Sequence, residues 1–312
     1  MSRLVVLGSV NVDATSYVDA FPRPGETIHS RDHRVALGGK GANQAIAAHL
    51  CAADVELVAR LGDDAAAEVA RAAFARFGLS TASVATIAGT PTGVAQITVA
   101  ASGENTIVVT AGANAAVGAD VVAAERDRIA AAGLVLTQGE LPVPAIEAVA
   151  RACDGAGTRF VLNLAPPVDI DAAVVATADP LVVNVHEARA VGIGADLADD
   201  APAGAWRDAA ASVVGDLACS VVVTLGARGA VAADRDGAWV VPAPRVDAVD
   251  TTGAGDAATG ALAAMLAEGR ALPEAVRIAV AAGAIAVQAR GTVDSYAARA
   301  DVLALADRME IG

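Results

Sequence analysis

The chain has 312 residues, of which 55% are hydrophobic and only 3% aromatic, and it carries 36 acidic against 22 basic side chains. A formal charge of −14 repels nucleic acid backbones and anionic membranes, so we expect a small-molecule partner and neither a nucleic acid nor a membrane partner. The same charge could simply keep a very apolar protein soluble, so it identifies no site. A large core poor in aromatic residues favours an α/β fold over a β-sandwich.

The chain starts with residues that run directly into an apolar strand, without a charged leader and cleavage site. No stretch of about 18 uninterrupted apolar residues occurs. The three cysteines, Cys51, Cys153 and Cys219, are widely spaced in alanine-rich surroundings, which predicts reduced thiols buried in the core. We therefore expect a soluble, cytoplasmic protein.

Short apolar runs alternate along the chain with alanine-rich helical stretches such as 64–76 and 144–152. The apolar runs are 4–8, 55–58, 134–137, 160–163, 181–184 and 221–225. This alternation predicts a doubly wound, mostly parallel sheet with helices on both faces. The tail, 273–309, is predicted to be helical with a loop at 291–295. Because no linker or repeat divides the chain, we expect a single α/β domain over residues 1–312.

Two segments, 14–37 and 92–110, break this rhythm with alternating polar and apolar residues and with turn signals such as Arg23-Pro24-Gly25. They predict a small antiparallel sheet that forms a lid over the carboxyl edge of the main sheet, where ligands bind in such folds. An exposed lid sheet has unpaired strand edges and an apolar face, which proteins usually protect from solvent. We therefore expect a homodimer in which two lids pair.

The strongest motif is the segment 250–256, Asp-Thr-Thr-Gly-Ala-Gly-Asp, which runs into a helical stretch. Its glycines let the backbone turn sharply, so that the N–H groups of Gly253, Ala254 and Gly255 can face one anion at a helix N-terminus. Asp256 follows in the first turn. Its carboxylate can take a proton from a hydroxyl while the amides stabilise a transferring phosphoryl group. Alone, the motif would equally fit an aspartate that caps a helix.

A second glycine-rich turn, 38–44 (Gly-Gly-Lys-Gly-Ala-Asn-Gln), also precedes a helical stretch. It holds Lys40, the only lysine among 22 basic residues, whose flexible ammonium can pair with hydroxyl or phosphate oxygens. The simpler alternative is that Lys40 has no function and is the one lysine that was not replaced by arginine by chance. The turn is not a Walker loop, because the GxxxxGK[ST] spacing is absent. No GxGxxG follows the first strand, which excludes a dinucleotide-binding dehydrogenase.

Together the two turns make the sequence resemble the ribokinase-like family of carbohydrate and nucleoside kinases. The resemblance covers essentially the whole chain and includes the segments 8–13, 21–27 and 111–114. It implies the α/β fold with a lid, ATP as the phosphoryl donor, a sugar hydroxyl as the acceptor, and a homodimer. A relative that binds nucleotide without turnover is the competing hypothesis, but such a protein would have no reason to keep Asp256 and Glu187 together.

The resemblance also implies roles for individual residues. Asp256 would be the catalytic base, with Gly253, Ala254 and Gly255 as the anion hole. The residues expected to bind the sugar are Asn11, Asp13, Gly39, Lys40, Asn43 and Glu140, together with Asp256. Asn11 and Asp13 are expected at the end of the first strand. This set is chemically sensible because sugar hydroxyls need both acceptors and donors. Taken singly, each residue could be an ordinary surface polar group or a helix cap.

On the nucleotide side, the resemblance implies contacts to ATP from Asn184, Thr224, Gly226, Gly229 and Gly255. Glu187, in the motif Asn-x-x-Glu, would organise Mg²⁺ and its waters, which fits the preference of Mg²⁺ for few carboxylates and several waters. His186 is expected to be a neighbour rather than a ligand. A K⁺ ion would lie at Asp250, Thr252, Ala286, Ala289, Gly291 and Ser295. Several of these would act through backbone carbonyls, so only Asp250 and Ser295 carry side-chain information.

Ribose is the sugar that fits best, because the expected sugar-binding set agrees with the ribose-phosphorylating members of the family. Transfer to its primary hydroxyl would give ribose 5-phosphate. Deoxyribose, fructose, 2-keto-3-deoxygluconate and a nucleoside stay open. A sugar acid would need an added arginine near the lid, and Arg31 or Arg34 could supply it.

Overall fold

The computed structural model describes residues 3–312. Its strands are β1 (Leu4–Leu7), β2 (Asn11–Val18), β3 (Asp32–Gly38), β4 (Val55–Leu61), β5 (Val84–Thr86), β6 (Gly93–Ala100), β7 (Asn105–Thr110), β8 (Leu134–Gln138), β9 (Arg159–Asn163), β10 (Leu181–Asn184), β11 (Val221–Thr224), β12 (Ala230–Asp234) and β13 (Gly237–Val241). Its α-helices are α1 (Lys40–Leu50), α2 (Ala65–Phe77), α3 (Ala119–Ala124), α4 (Arg126–Ala131), α5 (Val143–Ala156), α6 (Ala172–Val175), α7 (Val185–Ala190), α8 (Ala203–Ala211), α9 (Ala254–Ala267), α10 (Leu272–Ala286) and α11 (Arg299–Ala306).

The main sheet of residues 3–312 has nine strands in the order β13-β12-β11-β10-β9-β8-β1-β4-β5. Neighbouring strands are parallel from β11 to β5, whereas β12 and β13 are added antiparallel at one edge. Parallel neighbours need crossover connections, which the alanine-rich helices provide. The predicted doubly wound, mostly parallel α/β fold is confirmed.

The main sheet is covered on both faces, because successive side chains of a strand point to opposite sides. On β1, Leu4 and Val6 belong to one apolar cluster together with residues of α1, α9 and α10. Val5 and Leu7 belong to a second cluster with residues of α5 and α8. All four side chains are fully buried. The continuous apolar run of this strand therefore reflects burial on two faces.

Helices α1 and α9 pack directly against each other on one face of the sheet. Their contact is close at Gly260, where a Cβ atom would collide with the Gln44 carbonyl and lie 2.6 Å from the Ala47 Cβ. Each helix begins just after one of the two glycine-rich turns. The packing of these helices thus brings together two turns that lie more than 200 residues apart in the chain (Asn43 and Asp256 differ by 213 positions).

A smaller sheet of four strands, in the order β3-β2-β6-β7, forms the lid within the described chain. Its presence was predicted, and both predicted segments contribute to it. The outer pairs are antiparallel, but the central pair, β2 and β6, is parallel. The lid is therefore a mixed sheet, because its two hairpins come from distant parts of the chain and meet side by side.

Two sequence-based expectations need correction. Asn11 and Asp13 were expected at the end of the first strand, but β1 ends at Leu7 and both residues open the lid strand β2. Cys51 and Cys153 are buried as predicted, whereas Cys219 is exposed. Cys219 lies two residues before the start of β11, and burial begins only at the next residue, Ser220. An alanine-rich sequence around a cysteine therefore did not ensure its burial. Within residues 3–312, no helix is both long and apolar enough to cross a membrane.

Candidate active site

A cleft opens at the carboxyl edge of the main sheet, between the two glycine-rich turns. It is lined by Lys40, Asn163, Ala165, Val182, Val183, Asn184, Glu187, Thr224, Gly253, Gly255, Asp256 and Thr259. An adjoining hollow continues past Asn184 and Thr224 to Gly226 and Arg228. Of the residues predicted for the sugar side, Lys40 and Asp256 line this depression together with residues predicted for the nucleotide side, at the edge where open parallel sheets bind ligands. The depression is not lined by the other predicted sugar-binding residues, which are Asn11, Asp13, Gly39, Asn43 and Glu140.

The late turn ends in the helix α9, whose N-cap residue is Gly253 with φ 75°. This left-handed conformation favours glycine, and a Cβ atom there would collide with the Thr292 methyl group and lie 2.9 Å from the Tyr296 hydroxyl. The Tyr296 hydroxyl donates a hydrogen bond to the Gly253 carbonyl at 3.0 Å. The first amides of α9 lack intrahelical acceptors and carry the positive end of the helix dipole, so the turn can hold an anion.

The early turn places Gly39 at the N-cap of α1 and Lys40 at its first position. The Lys40 backbone amide donates to the Glu140 carboxylate at 3.0 Å, and the Ser9 hydroxyl donates to the same oxygen at 2.5 Å. The pKa of Lys40 is raised, first by the charge of Asp256 and further by Glu140 and Glu187. Lys40 therefore stays an ammonium ion among carboxylates, where it can pair with an anionic substrate group.

Asp256 is buried in the first turn of α9, and both of its carboxylate oxygens accept a hydrogen bond. The Asn43 amide donates to Oδ2 at 3.0 Å, and the Gln44 amide donates to Oδ1 at 2.8 Å. Asn43 Oδ1 is buried and has no hydrogen-bond partner among residues 3–312. A buried acceptor without a partner is costly, so a ligand hydroxyl that donates to it would be favoured.

Sequence reasoning missed a part of this site. Gln44, Gln138 and Asn163 are buried and form hydrogen bonds with one another beside Asp256. A signal for two of them was present, since Gln138 and Asn163 are polar residues that end otherwise apolar strands at the carboxyl edge. Asn114 was noted only as part of a motif, yet it binds the Val10 backbone and donates to the Asn11 side chain at 2.8 Å.

Asp13 lies near two other carboxylates of the site. Its pKa is raised from 3.8 to about 6, mainly by burial and then by the charges of Glu140 and Asp256. The folded state binds this proton more tightly than the unfolded state. The protonation of Asp13 therefore contributes fully to the free energy of unfolding below pH 3.8, and this contribution is lost as pH rises through about 6. An ionised Asp13 thus destabilises the free protein at neutral pH.

We expect Asp13→Asn to raise the free energy of unfolding at pH 7.5 by about 1–3 kcal/mol, because it removes a buried carboxylate with an unfavourable charge. The gain should shrink at pH 5, where wild-type Asp13 is largely protonated. Urea unfolding at both pH values measures this difference. The matched variant Asp32→Asn changes an exposed aspartate of lid strand β3 and should leave stability unchanged at either pH. An equal gain at both pH values would contradict the assignment.

On the nucleotide side, Asn184 and Glu187 form a capping box at the start of α7. The Asn184 side-chain oxygen accepts from the His186 and Glu187 amides, and one Glu187 oxygen accepts from the Asn184 amide at 2.8 Å. Burial raises the pKa of Glu187, while the Asn184 amide and Lys40 oppose that shift. Both side chains line the cleft as predicted, although part of their hydrogen bonding serves the helix.

Thr224 and Gly226, which are predicted to contact ATP, both line the adjoining hollow. Gly229 does not reach it. A Cβ atom at Gly229 would collide with the Val241 carbonyl, so this glycine allows the turn to pack on the end of β13. Arg228 also borders the hollow, but its guanidinium is held by the Ala201 and Asp199 carbonyls.

The positions predicted for a monovalent cation come together in two chain segments. The Asp250 carboxylate accepts from the Thr252 and Gly291 amides, each at 3.0 Å, and thereby joins the late turn to the loop after α10. The Ser295 hydroxyl donates to the Thr292 carbonyl at 2.7 Å, which leaves its oxygen lone pairs available. Ala286 and Ala289 lie at the end of α10 and just beyond it.

Arg31 and Arg34, the two arginines considered as partners of a sugar acid, are both engaged in ion pairs. Arg34 binds Asp294 at 2.7 Å, and Arg76 of α2 binds the other oxygen of the same carboxylate. Arg31 pairs with Asp19 at 3.2 Å and donates to the Val18 carbonyl. The Arg31 pair is exposed to solvent, with 51% of the Arg31 and 85% of the Asp19 side chain accessible, so it holds Arg31 only weakly.

Comparison with known proteins identifies the class that this fold and cleft define. Residues 1–299 match the family model described as pfkB family carbohydrate kinase. The chain therefore belongs to the pfkB family of carbohydrate kinases, and it is an ATP-dependent sugar kinase.

Individual relatives narrow the comparison. A ribokinase of Haemophilus influenzae is 35% identical over 301 residues, which are 96% of this chain and 97% of that protein. A deoxyribokinase of Salmonella typhi is 32% identical over 295 residues, 94% of this chain and 95% of that protein. The solved structure of Arabidopsis thaliana ribokinase complexed with ribose and ATP has a TM-score of 0.87 and 30% identity, and it covers 98% of both chains.

Proposed function

We propose that the protein transfers the γ-phosphoryl group of ATP to the primary hydroxyl of D-ribose, giving ribose 5-phosphate and ADP. One observation carries this proposal. The Asp256 carboxylate lies at the N-terminus of α9, in a cleft shared with Lys40 and Glu187, and it is bound by Asn43 of the other glycine-rich turn. A base, an anion site and sugar-type donors thus meet at one place.

In this mechanism Asp256 accepts the proton of the attacking hydroxyl, because both carboxylate oxygens are held by amide donors and keep further lone pairs. The amides of Gly253, Ala254 and Gly255 stabilise charge on the transferring group. The Lys40 ammonium balances the carboxylates and can pair with a phosphate oxygen. Phosphoryl transfer needs mainly positioning and electrostatic stabilisation, and these residues supply both.

The sugar would lie between Asp256 and the start of lid strand β2. Asp13 and Glu140 offer acceptors there, while Asn11 and Asn43 offer amides, and the unpartnered Asn43 Oδ1 accepts one sugar hydroxyl. Glu140 already accepts hydrogen bonds from Ser9 and from the Lys40 amide. It would therefore stabilise the early glycine-rich turn in addition to binding the sugar.

Mg²⁺ would be held mainly by the ATP phosphates, with Glu187 binding its waters. Among residues 3–312 no cluster of His, Cys, Asp or Glu could hold a metal by itself, which fits an ion that arrives on phosphates. When bound, Mg²⁺ neutralises charge on the β- and γ-phosphates. K⁺ would be held by Asp250, Ser295 and backbone carbonyls of Thr252, Ala286, Ala289 and Gly291, and it would support the late turn.

A coupled ADP-release assay with Mg²⁺-ATP tests the proposal across ribose, 2-deoxyribose, fructose, 2-keto-3-deoxygluconate and adenosine, with and without K⁺. We expect the highest kcat/KM with ribose. The similarity to a deoxyribokinase makes 2-deoxyribose the second candidate substrate. A preference for it would keep the chemistry and change the sugar. No turnover with any of the five would instead support a relative that binds without catalysis.

We also propose a homodimer formed through the lid. Strand β7 is exposed at every position and is a free edge of the lid sheet, with Ile107 53%, Val108 64% and Val109 58% exposed. Consecutive apolar residues on a free edge need cover. By light scattering at micromolar concentration, we expect a dimer for the wild type and a monomer for Val108→Glu. Val249→Glu, at a 58% exposed valine outside the lid, should stay dimeric. A monomeric wild type would refute the dimer.

A further inference from the structure

A chain of side-chain amides connects the candidate base to the main sheet. Gln44 Nε2 donates to Asp256 Oδ1 and also to Asn163 Oδ1, each at 2.8 Å. Gln138 Nε2 donates to Gln44 Oε1 at 2.9 Å. Gln44 and Gln138 are completely buried, and Asn163 is 7% exposed. No solvent exchange therefore competes with these hydrogen bonds, and none of the three amides was assigned a role above.

The direction of every hydrogen bond in this chain follows from one backbone group. The Val182 carbonyl can only accept, so the Asn163 nitrogen must face it, at 3.0 Å. The Asn163 oxygen then faces Gln44, which must present its nitrogen to both Asn163 and Asp256. The Gln44 oxygen consequently faces Gln138, which must present its nitrogen in turn. Strand β10 thus dictates that Asp256 meets a donor on this side.

We infer that Gln44 is a positioning residue for the base, which orients the Asp256 carboxylate by presenting only a donor to Oδ1. Asn163 and Gln138 hold Gln44 in that orientation from β9 and β8. With Asn43 bound to Oδ2, the carboxylate plane is fixed at both oxygens. A base held in this way needs no rotation before it meets the sugar hydroxyl. This inference rests on Asp256 acting as the base in the proposed function.

Charged and titratable groups around Asp256 make such a donor necessary. The groups that interact electrostatically with Asp256 are Lys40 from α1, Asp13 from β2, Glu187 from α7 and Tyr296 from the loop before α11. Glu140 lies next to Lys40. Three further carboxylates against one ammonium favour uptake of a proton by the cluster. A donor on each Asp256 oxygen avoids placing another negative group against these carboxylates.

Gln44→Glu is the decisive variant, because it keeps the shape of the side chain and replaces the donor with a second carboxyl group. We expect Glu at this position and Asp256 to share a proton, so that the acidic limb of the kcat–pH profile moves up by about one unit or more and kcat at pH 7 falls about tenfold or more. The KM for ATP should change less than twofold. The control is Ala211→Glu, which introduces the same carboxyl group at an exposed position of α8, outside the cleft and the lid, and should superimpose on wild type.

A second readout does not depend on turnover. Like charges at positions 44 and 256 should lower the thermal midpoint of Gln44→Glu more at pH 8 than at pH 5, whereas a packing defect would lower it equally at both. An unshifted kcat–pH profile together with a loss of stability that is independent of pH would overturn the inference.

Asp256→Asn, alone and combined with Gln44→Glu, separates this inference from the proposed function. If Asp256→Asn keeps its turnover, the assignment of the base fails. If Asp256→Asn loses turnover but Gln44→Glu leaves the pH profile unchanged, only the role of Gln44 fails. In support of both, the pH-dependent loss of stability caused by Gln44→Glu should become smaller when residue 256 is neutral, because only the cost of burying the new carboxylate then remains.

Discussion

Asp256→Asn should lower kcat by a factor of about 10²–10⁴, the range that a positioned general base contributes. The substitution is nearly isosteric, and it removes the group that accepts the proton of the sugar hydroxyl. ATP binding should change little, because the amides of the late turn and the helix dipole are retained. Steady-state kinetics with ribose and titration with a non-hydrolysable ATP analogue measure the two quantities separately.

The control for this variant is Asp301→Asn. Asp301 also lies in the first turn of a helix, α11, but it is exposed and does not line the cleft. It should keep wild-type kcat, which shows that removing an aspartate from a helix N-terminus is not itself harmful. Turnover of Asp256→Asn within about threefold of wild type would instead mean that another group takes the proton.

Gly253→Ala should lower kcat by a factor of about 10²–10³, as expected when a preorganised anion site is disturbed. The new Cβ atom would collide with the Thr292 methyl group and the Tyr296 hydroxyl. The turn must therefore move, and its amides would no longer point at the bound anion. Stability should fall by about 1–3 kcal/mol, from the left-handed backbone and from overpacking. Single-turnover kinetics and urea unfolding report the two effects.

Gly269→Ala separates backbone strain from the collision. Gly269 follows α9 at its other end with φ 83°, and a Cβ atom there would meet no atom within 4 Å. We expect a loss of about 1 kcal/mol from the left-handed conformation alone, with kcat unchanged. If both variants lost activity to the same degree, the effect would come from the stability of α9 and not from the anion site.

The lid arginines illustrate how the tertiary structure changed a hypothesis. The sequence left Arg31 and Arg34 as partners for the carboxylate of a sugar acid. In the fold, Arg34 reaches the loop at 291–295 and pairs with Asp294, 260 positions away, while Arg31 pairs with Asp19. Such pairing depends on how the lid lies over the main sheet, which no local pattern specifies.

The class of chemistry followed from the resemblance of the sequence to a known family. The two glycine-rich turns and the strands that end near them could be predicted from the sequence by itself. These features are local, because glycine spacing, an apolar run and a polar residue at its end act over a few neighbouring positions. Asp256 and Lys40 could be singled out for the same reason. Only the tertiary structure decided that β2 and β6 pair in parallel, that Cys219 is exposed, and that Gly229 packs on β13 instead of bordering the cleft.

The support around the base was also decided by the tertiary structure. Gln44, Gln138 and Asn163 come from three elements, and each is ordinary in its own segment. They become a directed chain of donors only because α1 and α9 cross closely while β8, β9 and β10 lie side by side in the main sheet. Hydrogen bonds between residues that are 94 to 212 positions apart depend on this packing. The physical reason is that a buried amide acquires its role from the partners that enclose it.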